Sequence, residues 1–432
     1  MARKMKDSGI EWIGEIPEGW EIVPVRSCFD EVRTKNSDGQ EQNALQFKSG
    51  NVISKTNFNA SMDDYVADTI TNYTVVLPDT VMINGLNLNY DFKSLRVALV
   101  KEKGVITSAY LAIFPDRKKI SPQYATYLFK GYETKMAFHN MGAGIRKTLG
   151  YKEFKNQPLL LPSKKEQNKI SAYLDSKCSH IDIMLSKIRS SIEEYKKLKQ
   201  AVITQAVTKG VRGEREMKDS GNPWFGQIPT DWKLSRVGLH FSIILGKMLC
   251  NAPLNDTYTF EPYYCAADVH FDGVTDGERK KMWFSPIEKD LYRVSVGDLL
   301  VVEGGAGAGG SAIVEKQDSD TYVQNSIMIV RSKGNADNRY LRYLLEFLVK
   351  QGYIDVVCNK ATIPHFTKDK LSCVPFCLCP TGEQKEIADY LDAKCAEIDK
   401  LIAKKEQLVK ELENYKKSLI FEYVTGKKEL RR

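Results

Sequence analysis

Between residues 162 and 210, apolar or near-apolar side chains return at Ile170, Leu174, Cys178, Ile181, Leu185, Ile188, Ile192, Tyr195 and Val202. The steps are mostly four and three, and charged residues such as Lys165, Glu166, Lys187, Arg189, Glu193 and Lys197 fill the other faces. This is a heptad seam, the pattern of a helix that packs lengthwise on another helix. At about 1.5 Å per residue the predicted helix is on the order of 60 Å long, more than one globular core needs. A second seam runs through Leu391, Cys395, Ile398, Ile402, Val409, Leu412 and Leu419. Two such helices in one chain pair most simply with each other. The plainer alternative is that each packs on its own neighbouring domain.

The two helices are copies. Glu166-Gln167 match Glu383-Gln384, Tyr173-Leu174-Asp175 match Tyr390-Leu391-Asp392, and Ile181-Asp182 match Ile398-Asp399, all at an offset of 217. Ile170 matches Ile387, Lys177-Cys178 match Lys394-Cys395, and Val207-Thr208 match Val424-Thr425 at the same offset. An opening segment is copied too. MKDSG stands at Met5 and again at Met217, and the match runs through Trp12 and Trp224, Ile16-Pro17 and Ile228-Pro229, and Trp20 and Trp232. The chain is therefore two tandem units, each an opening segment, a variable domain and a long helix. The expected parts are a first domain over 1–161 (opening segment 5–25), a helix over 162–213, a second domain over 214–379 (opening segment 217–237) and a second helix over 380–432. Trp20 and Trp232 are expected to be packing anchors.

The variable domains share an order of elements with almost no identity. In the first, residues 74–85 and 97–115 read as strands, 122–138 as a helix, 139–156 as a glycine-bearing basic loop, and 158–161 as a last strand. In the second, the answering stretches are 294–305, 322–332, 338–357, 359–372 and 373–380.

Composition adds little. Over 432 residues the chain is 42% hydrophobic and 27% charged with a net charge of +8, an ordinary globular balance compatible with an anionic partner. The start carries cations without a following apolar run, so no secretory signal is expected, and no stretch approaches a membrane span. Nine cysteines, several at apolar positions, read as reduced thiols in a cytoplasmic protein.

This arrangement resembles the specificity subunit of type I restriction-modification systems. The residues that carry the resemblance are the two MKDSG-to-Trp opening segments, the EQ…I…YLD…K…ID helix starts, and the AVTKG and YVTGK helix ends. The resemblance implies an α+β fold, with two target recognition domains joined by two long helices that pair as an antiparallel coiled coil with pseudo-twofold symmetry. It implies that each domain reads half of a split double-stranded DNA sequence while the helices set the interval. The helices would also dock two modification (methyltransferase) subunits, through which the restriction (motor-nuclease) subunits join. Catalysis, S-adenosylmethionine, ATP and Mg then belong to the partners, and no cofactor or metal to this chain. Tyr390, Leu401, Leu408 and Ile420, beside the seam, are expected either to face those partners or to widen the stripe that packs on the domains.

Reading DNA needs hydrogen-bonding side chains on loops aimed at base edges, and cations for phosphates. The first domain offers Asn84, Asn87, Asn89, Tyr90 and Lys93 in one polar loop, and His139, Asn140, Arg146 and Lys147 around the glycine loop. The second offers Lys247, Asn251, Asn359, Lys360, Thr362 and His365.

Other chemistry fits less well. The glycines of 304–310 follow a strand, but a nucleotide loop needs a helix next and SAIVEK reads as another strand. Cys373, Cys377 and Cys379, near Cys358 and His365, lack the paired spacings of a zinc site and read as core thiols. Asp79, Asp91 and Lys93 faintly resemble a metal nuclease, the catalytic alternative. A stand-alone DNA-binding protein without enzyme partners is the non-catalytic one.

Overall fold

The computed structural model describes residues 3–48, 50–55, 70–92, 95–141, 147–316, 319–358 and 364–430. The chain divides into two compact units, Met1–Arg189 with Glu406–Arg432, and Ser190–Lys405. The long helices run Lys164–Lys209 and Thr381–Val424, about 69 and 66 Å by their 46 and 44 residues. Each unit holds the start of one helix and the end of the other, so the compact units are not the sequence copies.

Within the first unit the helix segments run antiparallel. Tyr173 packs against Tyr423 with its ring tilted, Asp182 binds Lys416, and Arg189 binds Glu413, partner numbers falling as the first rise. The second unit repeats this, with Lys199 bound to Asp399 and Lys405 over the Tyr195 ring. The copied Asp182 and Asp399 thus do the same work, each taking two contacts of 2.6–2.9 Å from the other helix's lysine. Leu174, Cys178, Ile181, Leu185, Ile192, Leu391, Cys395 and Ile398 are buried, and Ile188, Ile402, Val409 and Leu412 half-buried. Among the expected partner-facing residues, Tyr390 and Leu408 are exposed and Leu401 is half-buried. Ile420 takes the other expected place: it is buried in the first unit's core beside Leu419 and Val424, widening the stripe against the domain.

Each unit carries a four-stranded antiparallel sheet of one topology. In the first the spatial order is Phe29–Glu31, Leu111–Pro115, Val81–Ile83, Val97–Leu99. In the second it is Phe241–Leu245, Ile327–Ser332, Leu299–Val302, Ser311–Ile313. One helix packs on each sheet, Pro122–Thr134 and Asn338–Lys350, with Ser121 and Asp337 as N-caps whose side chains accept backbone N–H groups. The opening segments form equivalent hairpins, and their continuations Glu21–Pro24 and Lys233–Arg236 pair with Pro158–Leu161 and Pro375–Leu378. The outer parts differ: a short hairpin at 45–54 in the first unit, a three-stranded sheet built on Thr259–Tyr264 in the second.

The copied residues at the helix starts latch each domain to its helix. Trp20, almost wholly buried, donates its indole N–H to Glu166 Oε2 at 3.1 Å, and Arg3 holds Oε1 at 2.7 Å. In the second unit Arg215 binds the fully buried Glu383, with Arg212 at 3.8 Å, and the Trp232 indole N–H finds no hydrogen-bond partner among the described residues. Gln167 and Gln384 accept the N–H of the caps Ser121 and Asp337 at 2.8 and 3.0 Å and donate to the carbonyls of Pro162 and Cys379. One turn or two further on, Asp175 and Asp392 accept the hydroxyls of Tyr127 and Tyr343, both at 2.7 Å.

No described helix is long and apolar enough to cross a membrane.

The two latches differ in burial, and so in cost of removal. Glu383→Ala leaves Arg215 with only the exposed Asp231 and opens a buried void, and is expected to destabilise the second unit by about 2 kcal/mol. Glu166→Ala, at a carboxylate 28% exposed, is expected to cost the first unit about 1 kcal/mol. Hydrogen exchange in urea, read separately over each unit, measures both; equal losses would show that burial does not grade the latch.

Candidate nucleic-acid interface

In the first unit the chain leaving the Val81–Ile83 strand forms a loop over residues 84–92. Asn84 Oδ1 accepts the Leu86 N–H, and a left-handed Asn87 (φ 52°) starts a turn in which its carbonyl accepts the N–H groups of Tyr90 and Asp91. Asparagine tolerates that conformation because its short amide can bond locally. Leu88 is buried, whereas Asn87 is exposed and Tyr90 is 71% exposed.

The segment after the domain helix lies against this loop. Lys147 accepts the Leu88 N–H, and Leu149 donates to the Gly85 carbonyl at 2.9 Å. Only glycine allows that approach, since a Cβ on Gly85 would stand 2.5 Å from the Leu149 oxygen. His139 meets the Asp91 carbonyl through Nε2 at 3.2 Å, and its ring stacks on the exposed Phe92 at 5.1 Å. The structure therefore brings Asn84, Asn87, Asn89 and Tyr90 together with His139 and Lys147. Lys93 and Arg146 lie outside the described residues, as does the side chain of Asn140. Phe92 and Arg96 were missed by sequence reasoning. Arg96 opens an apolar strand, where an arginine reads as a flanking surface charge, yet it is 1% exposed.

The second unit has the same plan. Phe366 donates to the Glu303 carbonyl at 2.6 Å, as Leu149 does to Gly85, tying the segment after the domain helix to the chain leaving the Leu299–Val302 strand. His365 pairs with Gly304, its ring 3.3 Å from the Glu303 carboxylate, and Lys370 holds its carbonyl. The glycine loop is a tight turn into the Ser311–Ile313 strand. Gly309, at φ 82°, passes so close to Val349 and Ile354 that a Cβ would meet each at 2.9 Å. Asn359, Lys360 and Thr362 fall outside the described residues. Asn251 is exposed on a loop held to the Lys280–Phe284 strand by the Trp283 N–H. Lys247 is placed otherwise: 8% exposed, its ammonium binds Glu288 and lies over the Tyr258 and Phe284 rings. Its charge is used inside the unit.

The remaining chemistry is dispersed. Asp79 binds Arg117 at 2.7 Å, and the Asp91 carboxylate is 3.7 Å from Arg96. Among the described residues no group of three His, Cys, Asp or Glu is placed to hold a metal. Cys377 and Cys379 are buried, and burial pushes the Cys377 thiol up to about 12; Cys373 is exposed. Cys358 donates to the His365 carbonyl.

Residues 229–413 match the family model described as the type I restriction modification DNA specificity domain. This stretch is similar to type I DNA specificity domains. Similarity extends beyond that domain along the whole chain. The putative type I restriction enzyme MjaX specificity subunit of Methanocaldococcus jannaschii is 25% identical over 96% of this chain and 95% of its own. The MjaVIII specificity subunit of the same organism is 23% identical over 95% and 93%. Among solved structures, a chain from work on complex assembly and conformational transition of the type I R-M system aligns with a TM-score of 0.69 at 16% identity, covering 95% of this chain and 98% of that one. The HsdS subunit from Thermoanaerobacter tengcongensis aligns at 0.51 and 17% identity, covering 97% and 99%. These two show the fold. The matched residues include the Glu303–Phe366 and Gly304–His365 contacts of the second unit, and the first unit repeats the sheet topology.

Beneath the 84–92 loop, Glu133 receives the backbone N–H of Arg96, and burial pushes its carboxyl up to about 7. The folded state therefore holds a proton there that the unfolded chain releases above its ordinary value of 4.5. Stability from this group is full below about pH 4.5, falls as pH rises towards 7, and is gone above it. Urea midpoints of the first unit measured from pH 5 to 8 are expected to fall less steeply in Glu133→Gln than in the parent; parallel slopes would refute the assignment.

Proposed function

We propose that this chain is the DNA-recognition subunit of a type I restriction-modification complex, reading an asymmetric two-part target with one half assigned to each unit. The observation that carries the proposal is the paired reading edge. Both units place the loop after the same strand against the segment after the same helix, on one sheet topology, with unlike side chains at the two edges. Two equivalent frames with different surfaces suit two different half-sites. The specificity-domain match supports the same reading.

Asn87, Asn89, Tyr90 and Lys147 are the proposed DNA-facing residues of the first unit, and Asn251 and His365 of the second. The chain performs no chemistry in this reading. Two modification subunits dock on it, with Tyr390 and Leu408 among the exposed apolar helix positions they would cover. Those subunits would extrude and methylate an adenine in each half, and the restriction subunits join through them. S-adenosylmethionine, ATP and Mg are held by these partners.

The deciding experiment is methylation sequencing of DNA from cells co-expressing the chain with its modification subunits, against cells lacking the chain or carrying an exchanged 1–161 segment. The expected result is a split methylated motif that requires the chain and changes in one half on exchange. No new motif beside an active modification subunit would overturn the proposal, and specific binding by the chain alone would then favour a stand-alone DNA-binding protein. At residue level, Lys147→Ala is expected to weaken binding to all sequences alike and to reduce the salt slope of log K by about one. A sequence-selective loss would instead make Lys147 a base reader.

A further inference from the structure

We infer that Arg96 is the positioning residue of the first unit's reading loop: it fixes which half-site that unit prefers without itself touching DNA. The inference rests on the DNA-reading function proposed above.

Arg96 is a fully buried cation. A guanidinium stays protonated in proteins, and burying one is costly unless its donors are met. Here they are met almost entirely by the loop it sits beneath. Nη1 donates to the carbonyls of Asn84 and Leu86, both at 2.9 Å, and Nη2 to the carbonyl of Asp91, whose carboxylate lies 3.7 Å away. Nε has no hydrogen-bond partner in the described structure, so the group is oriented for these carbonyls at the expense of one donor. A methionine or leucine would fill the volume at lower electrostatic cost. What it could not do is gather three carbonyls from a stretch of eight residues onto one rigid planar fork.

That gathering decides what faces outward. With the carbonyls of Asn84, Leu86 and Asp91 turned in and Leu88 buried, Asn87 and Tyr90 are left on the outside. A second clip acts from the other side, where His139 holds the same Asp91 carbonyl and stacks on Phe92. The Glu133 carboxylate on the domain helix takes the Arg96 backbone N–H, fixing the fork's base. A loop held this way is preorganised, so binding spends little on ordering it and a mismatched base cannot be met by rearrangement. The second unit shapes its loop by glycine packing against Val349 and Ile354, so the effect of Arg96 belongs to one half-site.

The test uses the full chain assembled with its modification subunits, and DNA bearing single base changes in either half. Arg96→Lys keeps the charge and loses the fork; Arg96→Met loses both. Discrimination against wrong bases in the first unit's half is expected to fall about ten- to hundredfold, the scale of a single mismatch, with the other half unchanged. The salt slope of binding is expected to stay the same, since no phosphate contact is lost. Amide exchange over residues 84–92 is expected to quicken. Unchanged discrimination in both halves, with faster exchange in the loop, would overturn the inference, and a salt slope reduced by about one would show that Arg96 contacts phosphate instead. If Arg96→Met fails to assemble, His139→Ala unclips the same carbonyl with the fork intact, and the same one-sided loss or its absence decides. A parent complex with no chain-dependent motif would bring down the DNA-reading proposal itself, a result visible before any variant is compared.

Discussion

A carboxylate in the first turn of each long helix holds the rest in place. Glu166 is bound by the Trp20 indole and Arg3, and Glu383 by Arg215, while the neighbouring glutamine accepts the N–H of the domain helix's N-cap and donates to the carbonyl just after the last strand. Three parts that are far apart in sequence therefore meet at two adjacent side chains. In the second unit the carboxylate is fully buried, so its polar bonds form where water competes little, and losing one costs more than losing its partly exposed counterpart in the first. An acidic residue also suits a helix start, where the unpaired N–H groups carry partial positive charge.

This junction explains the pattern of repetition. The residues that recur at the fixed offsets are those that join domain to helix or helix to helix: tryptophan, arginine, glutamate, glutamine, and the aspartates that bind Tyr127, Tyr343, Lys416 and Lys199. Most of them meet equivalent partners in both units, the indole of Trp232 being the exception. The sheets need only an apolar interior and a register, which many sequences satisfy. Their loops need only to differ. Divergence between the copies is greatest where a reading surface would require it.

The two loops also show how one backbone plan is shaped by unlike means. In the first unit a buried cation draws carbonyls inward; in the second, glycine lets the turn press against a helix.

The heptad spacing, the copied motifs and the strand–helix order were legible in the sequence because each arises from local periodicity or from a junction repeated verbatim. Trp20 and Trp232 as anchors follow from the same local signals, whereas the stretch 74–85 divides into two strands of different sheets. Which polar loop residues converge was not legible. Lys247 and Arg96 have the composition of surface cations, and Ile420 that of an exposed helix flank. Their burial depends on what the fold brings against them: Glu288 and two rings, the carbonyls of a loop, the core of a domain. The division into compact units was equally hidden, since each long helix ends among the core residues of the other copy. Sequence alone determined the elements, their duplication and the helix seams, since spacing along the chain sets those. Tertiary structure decided which side chains are spent on holding the loops and which remain outside, since that depends on contacts between residues distant along the chain.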